Sequence, residues 1–138
     1  MILNTEDLRK EIVNCIDRVL PNCDLSRINF KICSNYSPEG EYIFSLDNKY
    51  HYVFTEKGKI RIHKEFETVE EVLQEVINEI VFEIALDYAT KNKIPGVDFR
   101  RKLFAKEIEL CSKFGNEFKE KREKEVNEIL KNNPYIDI

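Results

Sequence analysis

The sequence predicts an α+β fold: a four-stranded antiparallel meander sheet with one face covered by helices, in the order α-β-β-β-β-α-α-α. Three observations predict it. Apolar residues recur at helical spacing near the start of the chain and again beyond Thr68. Between those regions, four short segments alternate apolar with polar residues. Turn-forming residues separate the segments. With 138 residues, 42% hydrophobic and 11% aromatic, the chain can bury one core, so residues 1–138 are read as a single domain.

The first helix is expected from Asn4 or Thr5 to Leu20, because Leu8, Ile12, Cys15, Ile16 and Val19 share one stripe and Pro21 follows. The strands are expected around Ile28–Ile32, Tyr42–Leu46, Tyr50–Phe54 and Ile60–Ile62. Ser37-Pro38-Glu39-Gly40, Asp47-Asn48-Lys49 and Glu56-Lys57-Gly58 connect them. If Gly58 closes a three-residue hairpin, Thr55 faces Lys59, Phe54 faces Ile60 and His51 faces His63. That register gives one greasy sheet face and one mainly polar face, with the helices covering the greasy one.

Thr68-x-x-Glu71 is a capping box opening a second helix that runs to about Lys91. Two of its i+4 rows are apolar, Val72 to Tyr88 and Val69 to Ala85, so it is expected to lie centrally against the sheet. Ile94-Pro95-Gly96 ends it. Asp98 caps a third helix with Leu103, Ile108, Cys111 and Phe114 inward, and a fourth follows from about Asn116 to Lys131. Cys15 and Cys111 fall in apolar stripes and read as buried thiols. The four cysteines form no CxxC pair, so neither a zinc site nor a disulfide framework is indicated.

No apolar run reaches the roughly 20 residues of a membrane span, and MILNTEDLRK places acids where a secretory signal carries basic and apolar residues. The expected location is the cytoplasm. The net charge of −4 is unevenly distributed: residues 65–90 hold eight of the 26 acids and none of the 22 Lys and Arg.

The chain contains no GxSxG, P-loop, GxGxxG or HExxH, and its four glycines do not cluster, so no catalytic residue, cofactor or metal is expected. His51 and His63 form an alternative site, because the expected register sets them side by side on the polar face, where they could share a metal or act as acid and base. No further ligand is expected beside them, and Lys59 and Arg61 on the same face would repel a cation. Solvent-exposed strand histidines are the plainer reading. The second helix carries one wholly acidic row, Glu71, Glu75, Glu79, Glu83 and Asp87. Like charges at this spacing cost about 0.2–0.5 kcal/mol per pair, with no base on the helix to relieve them. The row could dock a basic partner, or could be a solvated face neutralised by Lys and Arg of the later helices. Nucleic acid is disfavoured, since phosphates repel carboxylates. Arg100-Arg101-Lys102 opposes the dipole of its helix and is expected to pair internally with acids of the neighbouring helix.

Tyr50-His51-Tyr52-Val53-Phe54-Thr55-Glu56-Lys57-Gly58 resembles the strand-and-turn signature of the Immunity protein 63 family. Asp98-Phe99-Arg100-Arg101-Lys102-Leu103-Phe104 and the closing Ile129-Leu130 and Asn133-Pro134-Tyr135 resemble the family's later pattern. Lys57 stands where Arg is more usual. The resemblance implies a bacterial immunity protein of a polymorphic toxin system, binding a cognate toxin domain by protein–protein contact. It transfers no toxin-contact residues. A basic nuclease toxin would suit the acidic row, which is the expected partner-binding surface. A small enzyme or metal-binding protein using His51 and His63, or a structural adaptor, are the alternatives. The toxin's identity and the oligomeric state stay open.

Overall fold

The computed structural model describes residues 2–138. The element order is α1 (Thr5–Val19), β1 (Ile28–Asn29), β2 (Gly40–Leu46), β3 (Lys49–Glu56), β4 (Lys59–Phe66), α2 (Val69–Lys91), α3 (Phe99–Phe114) and α4 (Asn116–Asn132). The fold is α+β, in the order the sequence predicts. The chain forms two compact units, one ending at Leu73 and one running from Gln74 to Ile138, with the division inside α2.

In the first unit, Asn4 caps α1 by accepting from the Asp7 N–H at 2.8 Å, and Leu8, Ile12 and Ile16 are its buried stripe. Cys15, expected to be buried, is only half-buried, at the margin of that stripe. The helix entry is tied to the sheet. The Ser45 N–H donates to the Thr5 hydroxyl at 3.1 Å, the Ser45 hydroxyl donates to Leu3 O at 2.7 Å, and the Leu3 N–H donates to the Tyr50 hydroxyl at 2.8 Å.

The strands follow the order β1-β2-β3-β4, but the sheet is mixed. β1 pairs with β2 in parallel through only Ile28↔Glu41 and Asn29↔Tyr42, which corrects the all-antiparallel meander. Alternation reports which residues share a face and carries no strand direction. The expected first strand also stops early: Ile32 is 56% exposed, and the chain turns at Ser34–Ser37 before joining β2. Gly40, at φ 147°, sits where an added Cβ would come within 3.3 Å of Asn29 Nδ2, the amide that donates to Glu41 O.

The hairpins differ from expectation in a way that decides the faces. Asp47 and Asn48 both adopt left-handed φ (54° and 60°), making a two-residue turn that pairs Leu46 with Lys49. Relative to a three-residue turn this is a one-residue slip, and such a slip inverts the faces. Tyr42 and Phe44 therefore share a face with His51, Val53 and Thr55, while Ile43 lies with Tyr50, Tyr52 and Phe54 on the other. Tyr42, Ile43, Phe44, Tyr50, His51, Tyr52 and Val53 are all buried, so the central strands have no polar face. On the first face Tyr42, Phe44 and Val53 form a core cluster with Cys33, and Pro38 O accepts from both the Tyr42 hydroxyl (2.5 Å) and the Thr55 hydroxyl (3.1 Å).

The β3–β4 turn is likewise two residues, Lys57 and Gly58 at φ 52° and 72°. It pairs Glu56 with Lys59 and Thr55 with Ile60, after which a bulge leaves Arg61 unpaired and sets Phe54 opposite Ile62. The shorter turn and the bulge each shift the register by one residue in the same direction. Beyond the bulge the faces are those expected, but every partner is displaced by two, so His51 opposes Glu65 and His63 opposes Val53.

In the second unit, Asp98 caps α3 by accepting from the Arg100 N–H at 2.9 Å. The buried stripe of α3 is Leu103, Phe104, Glu107, Leu110 and Cys111. Ile108 and Phe114, expected inward, are half-buried. Val126 is the buried residue of α4. The apolar rows of α2 are buried at Val72, Val76, Ile77, Ile80, Val81 and Ala85.

Candidate functional site

The histidine pair occupies one end of the Phe44 face. His51 is 7% exposed, stacked on the Phe44 ring with centroids 5.0 Å apart and planes 6° from parallel. Its Nε2 lies 2.9 Å from Leu46 O, and a carbonyl can only accept, so Nε2 carries a proton. In neutral His51 the remaining lone pair is on Nδ1, which faces His63 Nε2 at 3.0 Å. The exposed His63 donates into that lone pair. The result is a directed chain, His63 to His51 to the Leu46 carbonyl. The sequence placed these imidazoles on one face correctly. Their setting is corrected: His51 lies in an aromatic core, because the Asp47-Asn48 turn turns its side chain onto the Phe44 face.

The register also brings in Glu65, which sequence reasoning missed. It opposes His51 directly, and a ligand atom from each of His51, His63 and Glu65 lies within 4.8 Å of the others. Lys49 donates to Glu65 at 3.3 Å, and this hydrogen bond first, then the charge of Lys49, holds the Glu65 carboxyl below its ordinary range. The two-residue Lys57-Gly58 turn puts Lys59 opposite Glu56, on the face away from the histidines, which removes one of the two cations expected beside them. A His-x-Glu spacing on β4 was visible in the sequence, but the three-residue hairpin placed Glu65 out of reach of His51.

The acidic row divides by environment. Glu71 serves the capping box, its carboxylate accepting from the Thr68 N–H (3.2 Å) while the Glu71 N–H donates to the Thr68 hydroxyl (3.2 Å). Glu75 and Glu79 are half-buried, whereas Glu83 and Asp87 are exposed. Asp87 accepts from Lys91 at 2.9 Å, so the last turn does contain a base that relieves the row. Phe82 (44% exposed) and Leu86 stand beside Glu83 and Asp87 on the outer surface of the helix.

Arg100 and Arg101 pair internally, but with the C-terminal tail and the α3 cap. Arg100 binds Asp98 (3.0 Å) and the carbonyls of Asn133 and Pro134. Arg101 binds Asp137 (2.8 Å) and lies 4.2 Å from the centre of the Tyr135 ring. Asp98 is held far below the usual carboxylate range, first by the Arg100 guanidinium and then by the Ile136 and Arg100 N–H groups. In the same unit Arg122 reaches the buried Glu107 at 3.0 Å and Glu125 at 3.4 Å. Burial pushes the Glu107 carboxyl above its ordinary value, against the pull of Arg122.

Residues 47–128 match the family described as Immunity protein 63. The chain belongs to the Immunity protein 63 family. The matched stretch contains both the Tyr50–Gly58 hairpin and the Asp98–Phe104 segment, while Asn133-Pro134-Tyr135 lies beyond it. No curated protein and no solved structure matches the chain. Within this Immunity protein 63 chain the signature residues have structural work: Lys57 and Gly58 make the tight turn, His51 stacks in the core, and Asp98 and Arg100 lock the tail. Among the described residues no helix is long and apolar enough to cross a membrane.

Proposed function

We propose that this protein neutralises a cognate bacterial toxin domain by direct protein–protein contact in the cytoplasm of the producing cell. The observation that carries the reading is family membership over residues 47–128. The charge distribution supports a basic partner, such as a nuclease, since residues 65–90 concentrate acids without Lys or Arg. The docking surface is the acidic flank of α2, Glu71, Glu75, Glu79, Glu83 and Asp87. The exposed pair Glu83 and Asp87 would steer encounter, and Phe82 and Leu86 would supply apolar contact area next to them.

The test uses the product of the gene directly upstream as the toxin. Co-expression should protect cells from it, and the purified proteins should associate. Reversing both Glu83 and Asp87 to Lys should slow association by about tenfold at low salt, with a smaller loss at high salt. Protection lost in no variant of α2, with unchanged association rates, would move the docking surface elsewhere. Absence of any complex with the upstream product would remove the toxin assignment itself.

A further inference from the structure

The geometry points to a second binding site: His51 Nδ1, His63 Nε2 and a Glu65 carboxylate oxygen form a three-ligand site for a divalent transition metal of the zinc class. Its ligands come from adjacent antiparallel strands and project from one sheet face, with His63 and Glu65 two residues apart on β4 and His51 across the ladder. Two ring nitrogens bound to one tetrahedral zinc at about 2.0–2.1 Å lie roughly 3.3 Å apart. His51 Nδ1 and His63 Nε2 are already 3.0 Å apart, so opening the pair by a few tenths of an ångström suffices.

The buried partner is prepared for this role. His51 donates its Nε2 proton to the Leu46 carbonyl, the outer contact that fixes the tautomer of a metal-bound imidazole, and Phe44 holds the ring plane. Its Nδ1 lone pair needs no change of protonation to become a ligand. His63 is exposed, so its proton can pass through water from Nε2 to Nδ1 with no net release, freeing the Nε2 lone pair. Glu65 is also exposed and leaves Lys49 to complete the set, with water in the fourth position. Two imidazoles and one carboxylate suit zinc, nickel or copper over magnesium or calcium, which require mostly oxygen ligands. The site is built on β3 and β4, outside the α2 row, and its existence does not depend on the toxin-binding reading.

The untagged full-length protein, stripped with chelator, should be titrated with Zn2+ by calorimetry and with Co2+ by visible absorption. One metal should bind per chain. His63→Ala removes an exposed ligand and should weaken Zn2+ binding by at least about tenfold, given that even outer partners of metal ligands are worth 10–100-fold. Glu65→Gln should weaken it less, and Lys49→Met should strengthen it by releasing the carboxylate. Circular dichroism should show each variant folded. Binding that is undiminished in His63→Ala, or no binding by the folded wild-type protein at millimolar Zn2+, would overturn the site.

Discussion

Two polar pairs, one in each compact unit, solve the problem of burying titratable side chains in opposite ways. Glu107 and Arg122 meet through charge: the carboxylate is 3% exposed and its nearest partner is a guanidinium at 3.0 Å. His51 and His63 meet through complementary tautomers, one ring accepting what the other donates. The helical pair carries both charges into a partly desolvated site, so removing either member strands the other. The sheet pair can be neutral, and one of its members stays in water. A charge pair locks two elements together, whereas a neutral pair with one exposed member leaves room for a ligand.

The comparison can be broken most forcefully at Arg122. Arg122→Ala should cost about 3–5 kcal/mol, measured by urea unfolding, because Glu107 would be left buried without its cation. Combining Arg122→Met with Glu107→Leu should recover most of that loss, since a matched apolar pair carries no stranded charge. A mild effect of Arg122→Ala alone would show that Glu107 is relieved by water.

The sheet pair should respond unequally. His51→Ala deletes a buried ring stacked on Phe44 and should cost about 2–4 kcal/mol, comparable to other large-to-small changes in a core. His63→Ala removes one hydrogen bond from an exposed side chain and should cost about 1 kcal/mol or less. Equal losses in the two variants would contradict the asymmetry of burial.

The pH dependence separates the helical pair from the C-terminal clamp. The folded carboxyl of Glu107 is raised above its ordinary 4.5, so its protonated form favours folding. That contribution is fully present below pH 4.5 and is lost as pH rises through the folded value, and Glu107→Gln should remove the decline. Asp98 and Asp137 are shifted the other way, mainly by Arg100 and Arg101 respectively. Their contribution is present above the ordinary Asp value of 3.8 and is lost as pH falls through the lowered folded values. Thermal unfolding across acid pH should show both slopes, with Asp98→Asn flattening only the more acidic one.

The smallest effect concerns a thiol. Cys111, one α3 turn beyond Glu107, has its thiol pushed up to about 11 by burial, then by the Glu107 charge. It should resist alkylation in the native protein while Cys15, Cys23 and Cys33, all partly exposed, react. Counting modified thiols by mass spectrometry checks this. Modification of Cys111 at the rate of the others would mean that the α3 stripe opens readily.

Much of the fold was legible because its signals are local. The capping residues Asn4, Thr68 and Asp98 and the apolar stripes mark helices within a few residues of their observed ends, since caps and i+4 spacing are written in neighbouring positions. The sheet was less legible because its register depends on turn length. Asp47-Asn48 and Lys57-Gly58 each close in two residues, one fewer than expected, and alternating apolar residues on both faces of β2 and β3 could not reveal the difference. The shorter second turn and the bulge at Arg61 together hid Glu65 from His51. Of the acidic row, spacing correctly put five carboxylates on one helix, but not that Glu75 and Glu79 would be half-buried or that Lys91 would meet Asp87.

By itself, then, the sequence determined the eight elements and their order, the sharing of one sheet face by His51 and His63, and the family signature in the Tyr50–Gly58 hairpin. Only the tertiary structure decided that β1 runs parallel to β2, that His51 is buried on Phe44, and that Glu65 completes its surroundings. The physical reason is that helix stripes and caps are set by residues a turn apart. Strand partners are set instead by the left-handed conformations of two-residue turns and by one bulge at Arg61, which act on every pairing beyond them.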